Sequence, residues 1–157
     1  MSYPRFLGTI AVSTVVMFVM MYLNTYTLDH VWFSQTRAWM ALTMGGGMAI
    51  VMLLAMWSMF PDPGKSGAIL VIAAAAFAVG LFMVRSQATV GDVSWMKAMI
   101  PHHSIAILTS SRADIDDPRV RALADQIIET QRREIAEMEA LIADLEGGAR
   151  GTGADSQ

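Results

Sequence analysis

The chain has 157 residues, 54% of them apolar, and its 11 Lys and Arg against 14 Asp and Glu leave a formal charge of −3. It contains no cysteine, which excludes a disulfide framework, a thiolate zinc site and thiol redox chemistry. Residues 1–84 hold just Asp29, Asp62, Arg5, Arg37 and Lys65 as charges, whereas Asp114 to Glu146 alternates both signs densely, so a membrane half is expected to precede a soluble helical half.

Phe6 to Leu28, Ala38 to Pro61 and Ser66 to Val84 carry no charge at all. Each is near the roughly 20 residues that a helix needs to cross about 30 Å of hydrocarbon, so three spans are expected within residues 1–84. Arg5 ahead of the first window imitates a signal peptide, yet the window runs into Tyr22-Leu23-Asn24-Thr25-Tyr26 without a small-residue cleavage pattern. It therefore reads as a retained helix. Positive charges are nearly balanced, Arg5 and Lys65 against Arg37, Arg85 and Lys97. Arg5 in the short amino-terminal tail orients that end to the cytoplasm and, after three crossings, residues 85–157 to the outside.

The first span has Met17, Met20 and Met21 near its far end. In the connection that follows, Tyr22, Tyr26, Trp32 and Trp39 flank Asp29-His30, an aromatic density that suits an interfacial belt around a solvated loop, with a ligand-admission role for Asp29-His30 as the alternative. In the second span Met40, Met44, Met48, Met52 and Met56 recur at every fourth residue, a stripe that drifts slowly round a helix of about 100° per residue. Ala41, Gly45 and Ala49, widened by Gly46 and Gly47, run beside it and let another backbone approach closely. The stripe is either thioether filler against that neighbour or a path for a soft monovalent ion. Pro61-Asp62-Pro63-Gly64-Lys65 is a tight turn, and the Ala-rich third span offers Met83 as its candidate ligand.

Residues 85–91 form a polar linker. Asp92 or Ser94 can cap a helix that runs to about Arg112, with Pro101 inside it removing a backbone donor and bending it. Asp117 before Pro118 starts the next helix, Gly147-Gly148 ends it, and residues 147–157 have the composition of a disordered tail. Residues 92–146 are thus expected to form one antiparallel helical hairpin.

On the second helix of that hairpin, Val120, Ala124, Ile127, Gln131, Glu134, Met138, Leu141 and Leu145 keep a four-three alternation that makes a seam. Gln131 and Glu134 interrupt it, and a buried carboxylate without a partner costs several kcal/mol, so something polar should face them. On the first helix Asp92, Met96, Met99, His103 and Ser110 share one arc. Folding about Asp116 sets Met99 and His103 level with Ile127 to Glu134, and Met96 level with Glu134 to Met138. His102 sits about 100° away from His103, so one imidazole can serve this hairpin and the other a neighbour. A site of Met96, Met99, His103, Glu134 and Met138, with His102 beside it, offers thioethers and imidazole, which suit copper(I) better than zinc, calcium or magnesium. Glu134 is then a ligand for oxidised copper or the acceptor that orients an imidazole, with Asp92 and Gln131 as neighbours of the ligands. The rival reading is that the methionines pack and that Gln131 and Glu134 fix register or oligomer state.

Asp92, Trp95-Met96, Met99-Ile100-Pro101-His102-His103, Ala106-Ile107-Leu108, Asp117-Pro118, Leu123-Ala124, Ile127-Ile128, Gln131, Glu134-Ile135 and Met138 resemble the bacterial domain-of-unknown-function family numbered 305. Asp29-His30-Val31, Phe33-Ser34, Thr36-Arg37, Met40-Ala41, Met44 and Met48 resemble its members with three spans before the domain. The resemblance implies a ferritin-like helical fold. Through relatives linked with copper binding and envelope copper resistance it also implies Met99, His102, His103, Glu134 and Met138 as ligands, with Gln131 as a neighbour. Thr109 stands where relatives often have a methionine, which removes one thioether. Relatives often duplicate the hairpin, and this chain has one, so a homo-oligomer is expected to complete a four-helix bundle.

These readings converge on an all-α chain, three transmembrane helices followed by an antiparallel two-helix ferritin-like hairpin. The expected function is copper(I) sequestration or delivery at the bacterial cytoplasmic membrane, with the hairpin on the periplasmic side. Two alternatives stay open: a structural membrane protein whose polar seam sets assembly and binds no metal, and a copper transporter using the Met40 to Met56 stripe. No nucleophile with its base, phosphate-cradling glycine loop or paired Glu-x-x-His set is visible, so no enzyme is expected. The expected partners are the lipid bilayer, further copies of the chain and copper-handling proteins, and no nucleic acid.

Overall fold

The computed structural model describes residues 2–151, and every regular element among them is helical: α1 (Tyr3–Met20), α2 (Gln35–Ala55), α3 (Pro63–Ser86), α4 (Asp92–Arg112) and α5 (Pro118–Gly151), with short 3-10 turns at Leu28–His30 and Trp57–Met59. The chain divides into two compact units. Residues up to Met21 together with Gln35–Val90 form one, and Tyr22–Ser34 together with the chain from Gly91 onward form the other.

In the first unit α1, α2 and α3 are each long and apolar enough to cross a membrane. The uncharged first window outlasts its helix, since α1 stops at Met20. Met21 marks that stop, and the buried Arg37 guanidinium, rising from the first turn of α2, donates to the Met21 carbonyl that α1 leaves unpaired. α2 and α3 approach closely because glycine stands where they touch. A Cβ on Gly46 would lie 2.8 Å from both the Ala73 carbonyl oxygen and the Phe77 nitrogen, and one on Gly80 would lie 2.9 Å from the Thr43 nitrogen. At the start of α3 the Asp62 carboxylate accepts from the Gly64 and Lys65 N–H groups at 2.9 and 3.1 Å, and the Lys65 amide above all holds its pKa below the ordinary carboxylate value. The Tyr3 hydroxyl donates to the Asp62 carbonyl at 2.7 Å and so ties the start of α1 to that cap. α3 ends on Gln87 in the left-handed region, φ 53°.

The methionine stripe is split by this packing. Met40 and Met44 are exposed on the outer surface of α2, and Met48 is half-buried. Met52 packs against the cluster of Phe6, Leu53 and Phe60, as does Met56, which lies beyond the end of α2 because the helix closes at Ala55. An apolar groove of about 420 Å³ runs among the three helices, and Gly45, Gly46, Ala49 and Ala73 line it with Ile10 and Ile69; its lining contains no methionine among the described residues.

In the second unit α4 and α5 pack antiparallel, which brings Lys97 to Glu146 at one end and the Arg121 guanidinium to the Ser110 carbonyl at the other. α5 opens as its sequence signals require. Asp117 Oδ1 accepts from the Arg119 N–H at 2.8 Å, and Pro118 needs no partner in the first turn. The paired Arg119 side chain lowers the Asp117 pKa, so the cap is intact above the ordinary carboxylate range and is lost as pH falls through that lowered value. α4 starts differently from expectation: Gly91 is the cap residue and makes no side-chain bond, which leaves Asp92 as the first helical residue and Ser94 within the turn. The helix then runs unbroken through Pro101 to Arg112.

Two expectations for α5 are corrected. The helix does not stop at Gly147-Gly148 but continues to Gly151, because no described glycine takes the left-handed conformation that a helix stop uses; of the expected tail, residues 152–157 lie outside the described residues. The seam is also displaced. Ala124, Ile135, Met138 and Ile142 are buried with Ile128 packed against them, whereas Val120, Leu141 and Leu145 remain about half exposed. α5 carries two adjacent four-three stripes that share Ala124, Gln131 and Met138, and α4 covers the one whose isoleucines meet Ile100 and Ile107.

Candidate metal centre

The α4–α5 interface is a methionine-bearing core. Met96 (4% exposed) and Met138 (6%) are buried in one cluster with Ile100, Ile107, Ile135 and Ile142, and Met99 packs against it. His103, two turns along α4 from Met96, reaches across to α5, where its Nε2 lies 2.9 Å from Glu134 Oε2. Its Nδ1 lies 3.0 Å from the Met99 carbonyl oxygen, and Gln131 Nε2 donates to the same Glu134 oxygen at 3.3 Å. Both ring nitrogens of His103 thus lie against protein oxygens, a carbonyl on one side and a carboxylate on the other. Glu134 is 41% exposed at its side chain and His103 13%, so the pair sits at the edge of the core with its carboxylate facing out.

Placement of the remaining candidates is uneven. His102 is exposed, and its ring centroid stands 6.4 Å from that of His103 at 65° between the planes, so the two imidazoles diverge. Asp92 is exposed in the first turn of α4, roughly 16 Å along the axis from His103, too far to orient that ring. Met40, Met44, Met48, Met52 and Met56 belong to the other unit. No group of three His, Asp or Glu side chains that could hold a metal occurs among the described residues. The soft side chains Met96, Met99 and Met138 share the α4–α5 interface with the His103 imidazole.

The structure adds a feature that periodicity could not supply. The Tyr22–Ser34 connection lies on the hairpin: Ser104, fully buried, accepts from the Tyr26 N–H at 2.7 Å and stands 2.9 Å from His30 Nδ1, while Trp32 packs on the methionine cluster with Lys97 Nζ 5.4 Å from its ring centre. Trp32 therefore packs, partly buried, on the core of this unit, and His30 is half-buried. The sequence signal was slight, a serine inside an otherwise apolar face of α4. Ser104→Ala should strand the Tyr26 N–H at a cost of roughly 1–2 kcal/mol and speed amide hydrogen exchange across residues 22–34. Unchanged exchange in that segment would show that Ser104 does not hold it.

Among the described residues, three helices long and apolar enough to cross a membrane and a hairpin bridged by His103 and Glu134 define the class, a helical protein with three candidate spans and a small helical domain. The family model described as "Domain of unknown function (DUF305)" matches residues 85–156, and the chain belongs to that family. It is also similar to "Uncharacterized protein L153" of Acanthamoeba polyphaga mimivirus, 34% identical over 107 residues that cover 66% of this chain and 68% of the viral one. That aligned stretch is longer than the family region. No solved structure matches.

Proposed function

We propose that the chain is a membrane-anchored copper(I)-binding protein that sequesters or delivers copper in the bacterial envelope. The observation that carries this reading is the gathering of Met96, Met99 and Met138 with His103 on one helix–helix interface. Thioether sulfur and imidazole nitrogen are the donors a soft monovalent ion selects, and no cysteine competes with them. The residues that would hold the ion are those three methionines with His103 and, beside it, His102. Bound copper(I) would be stored in a two-helix core shielded from water. Glu134, on the Nε2 of His103, would orient the ring or accept the proton that metal binding releases. The three spans keep the hairpin at a membrane, and Arg5 at the amino terminus favours the cytoplasmic membrane with the hairpin on its outer side.

Transport is the weaker alternative, since Met40 and Met44 face outward and the groove among the spans is lined without methionine. A purely structural role is favoured by one observation, the half-exposed leucine stripe on α5, which marks a contact surface. A competitive copper(I) titration of the detergent-purified chain, run beside the His102→Ala, His103→Ala double variant, separates the readings. Tight binding that the double variant loses supports the copper reading; absence of binding in both leaves the structural one.

A further inference from the structure

We propose that the metal centre is shared between two copies of the chain, His102 of each copy joining the His103 and Glu134 of the other; this rests on the copper(I) reading above.

The hairpin has two sides. Ser104 and Lys97 face the side that the Tyr22–Ser34 segment covers. About 100° per residue places Trp95, Met99 and His102 of α4 on the opposite side, together with Leu123, Glu134, Leu141 and Leu145 of α5. Trp95, Leu123, Leu141 and Leu145 are 45–56% exposed, a density of large apolar side chains that water does not favour. Glu134, Leu141 and Leu145 belong to the second four-three stripe of α5, with Leu123 beside it, and that spacing asks for a helix just as the first stripe is answered by α4. A second hairpin supplies that helix at matching length and closes a four-helix bundle.

The polar groups on this face select a second copy over an unrelated helix. Glu134 directs a part-exposed carboxylate outward, and His102, whose imidazole N–H can donate to a carboxylate, is exposed on the same face. A two-fold axis through the face sets His102 of each copy against Glu134 of the other, so the surface pairs a hydrogen-bond donor with an acceptor as well as one apolar stripe with another. The spans confine the copies to one plane and raise their effective concentration. Within one chain the adjacent imidazoles diverge, His103 toward α5 and His102 outward. An exposed imidazole delivered by a second copy supplies a second nitrogen.

The test is mixed-dimer complementation. A chain carrying His102→Ala and a chain carrying His103→Ala, each with its own affinity tag, are co-expressed, and dimers holding both tags are titrated with copper(I) in detergent. A shared site leaves the mixed dimer one intact centre, His103 from one chain and His102 from the other. It should bind one copper(I) per dimer at wild-type affinity, while each variant homodimer falls by on the order of a hundredfold. His102 is exposed, so its loss leaves the fold unchanged, which circular dichroism checks. A mixed dimer no better than the homodimers, or a wild-type chain that binds copper(I) fully as a monomer, overturns the shared site and leaves the copper reading standing. A wild-type chain that binds no copper(I) overturns both.

Discussion

His103→Ala is expected to lower copper(I) affinity by on the order of a hundredfold or more while leaving the hairpin folded. In the copper(I) reading the ring is the imidazole at the α4–α5 interface, one of its nitrogens exchanging its contact with Glu134 or the Met99 carbonyl for the ion, and alanine offers no such nitrogen. The fold should tolerate the loss, because Glu134 keeps the Gln131 amide as a donor and is partly exposed, so no carboxylate is stranded in a dry core. The companion substitution is Met138→Leu. Leucine keeps the volume of a buried side chain, with a cost usually below about 1.5 kcal/mol, but removes the sulfur. A chain that stores copper through thioethers loses affinity in Met138→Leu at a nearly unchanged melting temperature. If methionine is there to pack, the same variant is silent in both measurements.

In the membrane unit the largest effect is expected from Gly46→Val. Even a bare Cβ at residue 46 meets the Ala73 carbonyl oxygen and Phe77 nitrogen at 2.8 Å, and these are backbone atoms of α3 that no rotamer change moves aside. α2 and α3 must separate, at a cost of roughly 1–3 kcal/mol or more, because the close approach that gave them their contact is gone. The variant should melt well below wild type in detergent and elute heterogeneously on size exclusion. Gly47→Ala is the control, since its Cβ would stand 3.5 Å from the Phe77 ring, an ordinary contact, and helix propensity favours alanine. Equal stability of the Gly46→Val and Gly47→Ala chains would contradict the packing described for α2 and α3.

Uncharged length and turn chemistry made five helices legible in the sequence, and folding about Asp116 set Met99 and His103 level with Ile127 to Glu134, within which the structure pairs His103 with Glu134. Three things were not legible, each for a physical reason. α5 carries two overlapping stripes, and periodicity alone does not say which one α4 covers; Ile135 and Ile142 lie inside, with Val120, Leu141 and Leu145 outside. The seating of Tyr26, His30 and Trp32 on Ser104 and the methionine cluster depends on contacts between residues more than sixty apart, which no local pattern encodes. Met56 continues the every-fourth-residue spacing on paper, but the helix ends one residue earlier and the stripe ends with it. The site itself was partly readable: thioethers and imidazole stood out by type, while the divergence of His102 from His103 became a structural fact only with both rings in place.

Copper K-edge X-ray absorption on the full chain loaded with copper(I) tests the central claim most directly. Copper held by Met96, Met99, Met138 and the histidines should show sulfur and nitrogen scatterers together, with the sulfur contribution reduced in Met138→Leu. A shell of nitrogen and oxygen without sulfur, or copper that a buffer wash removes, would contradict a thioether-built copper(I) centre in this hairpin.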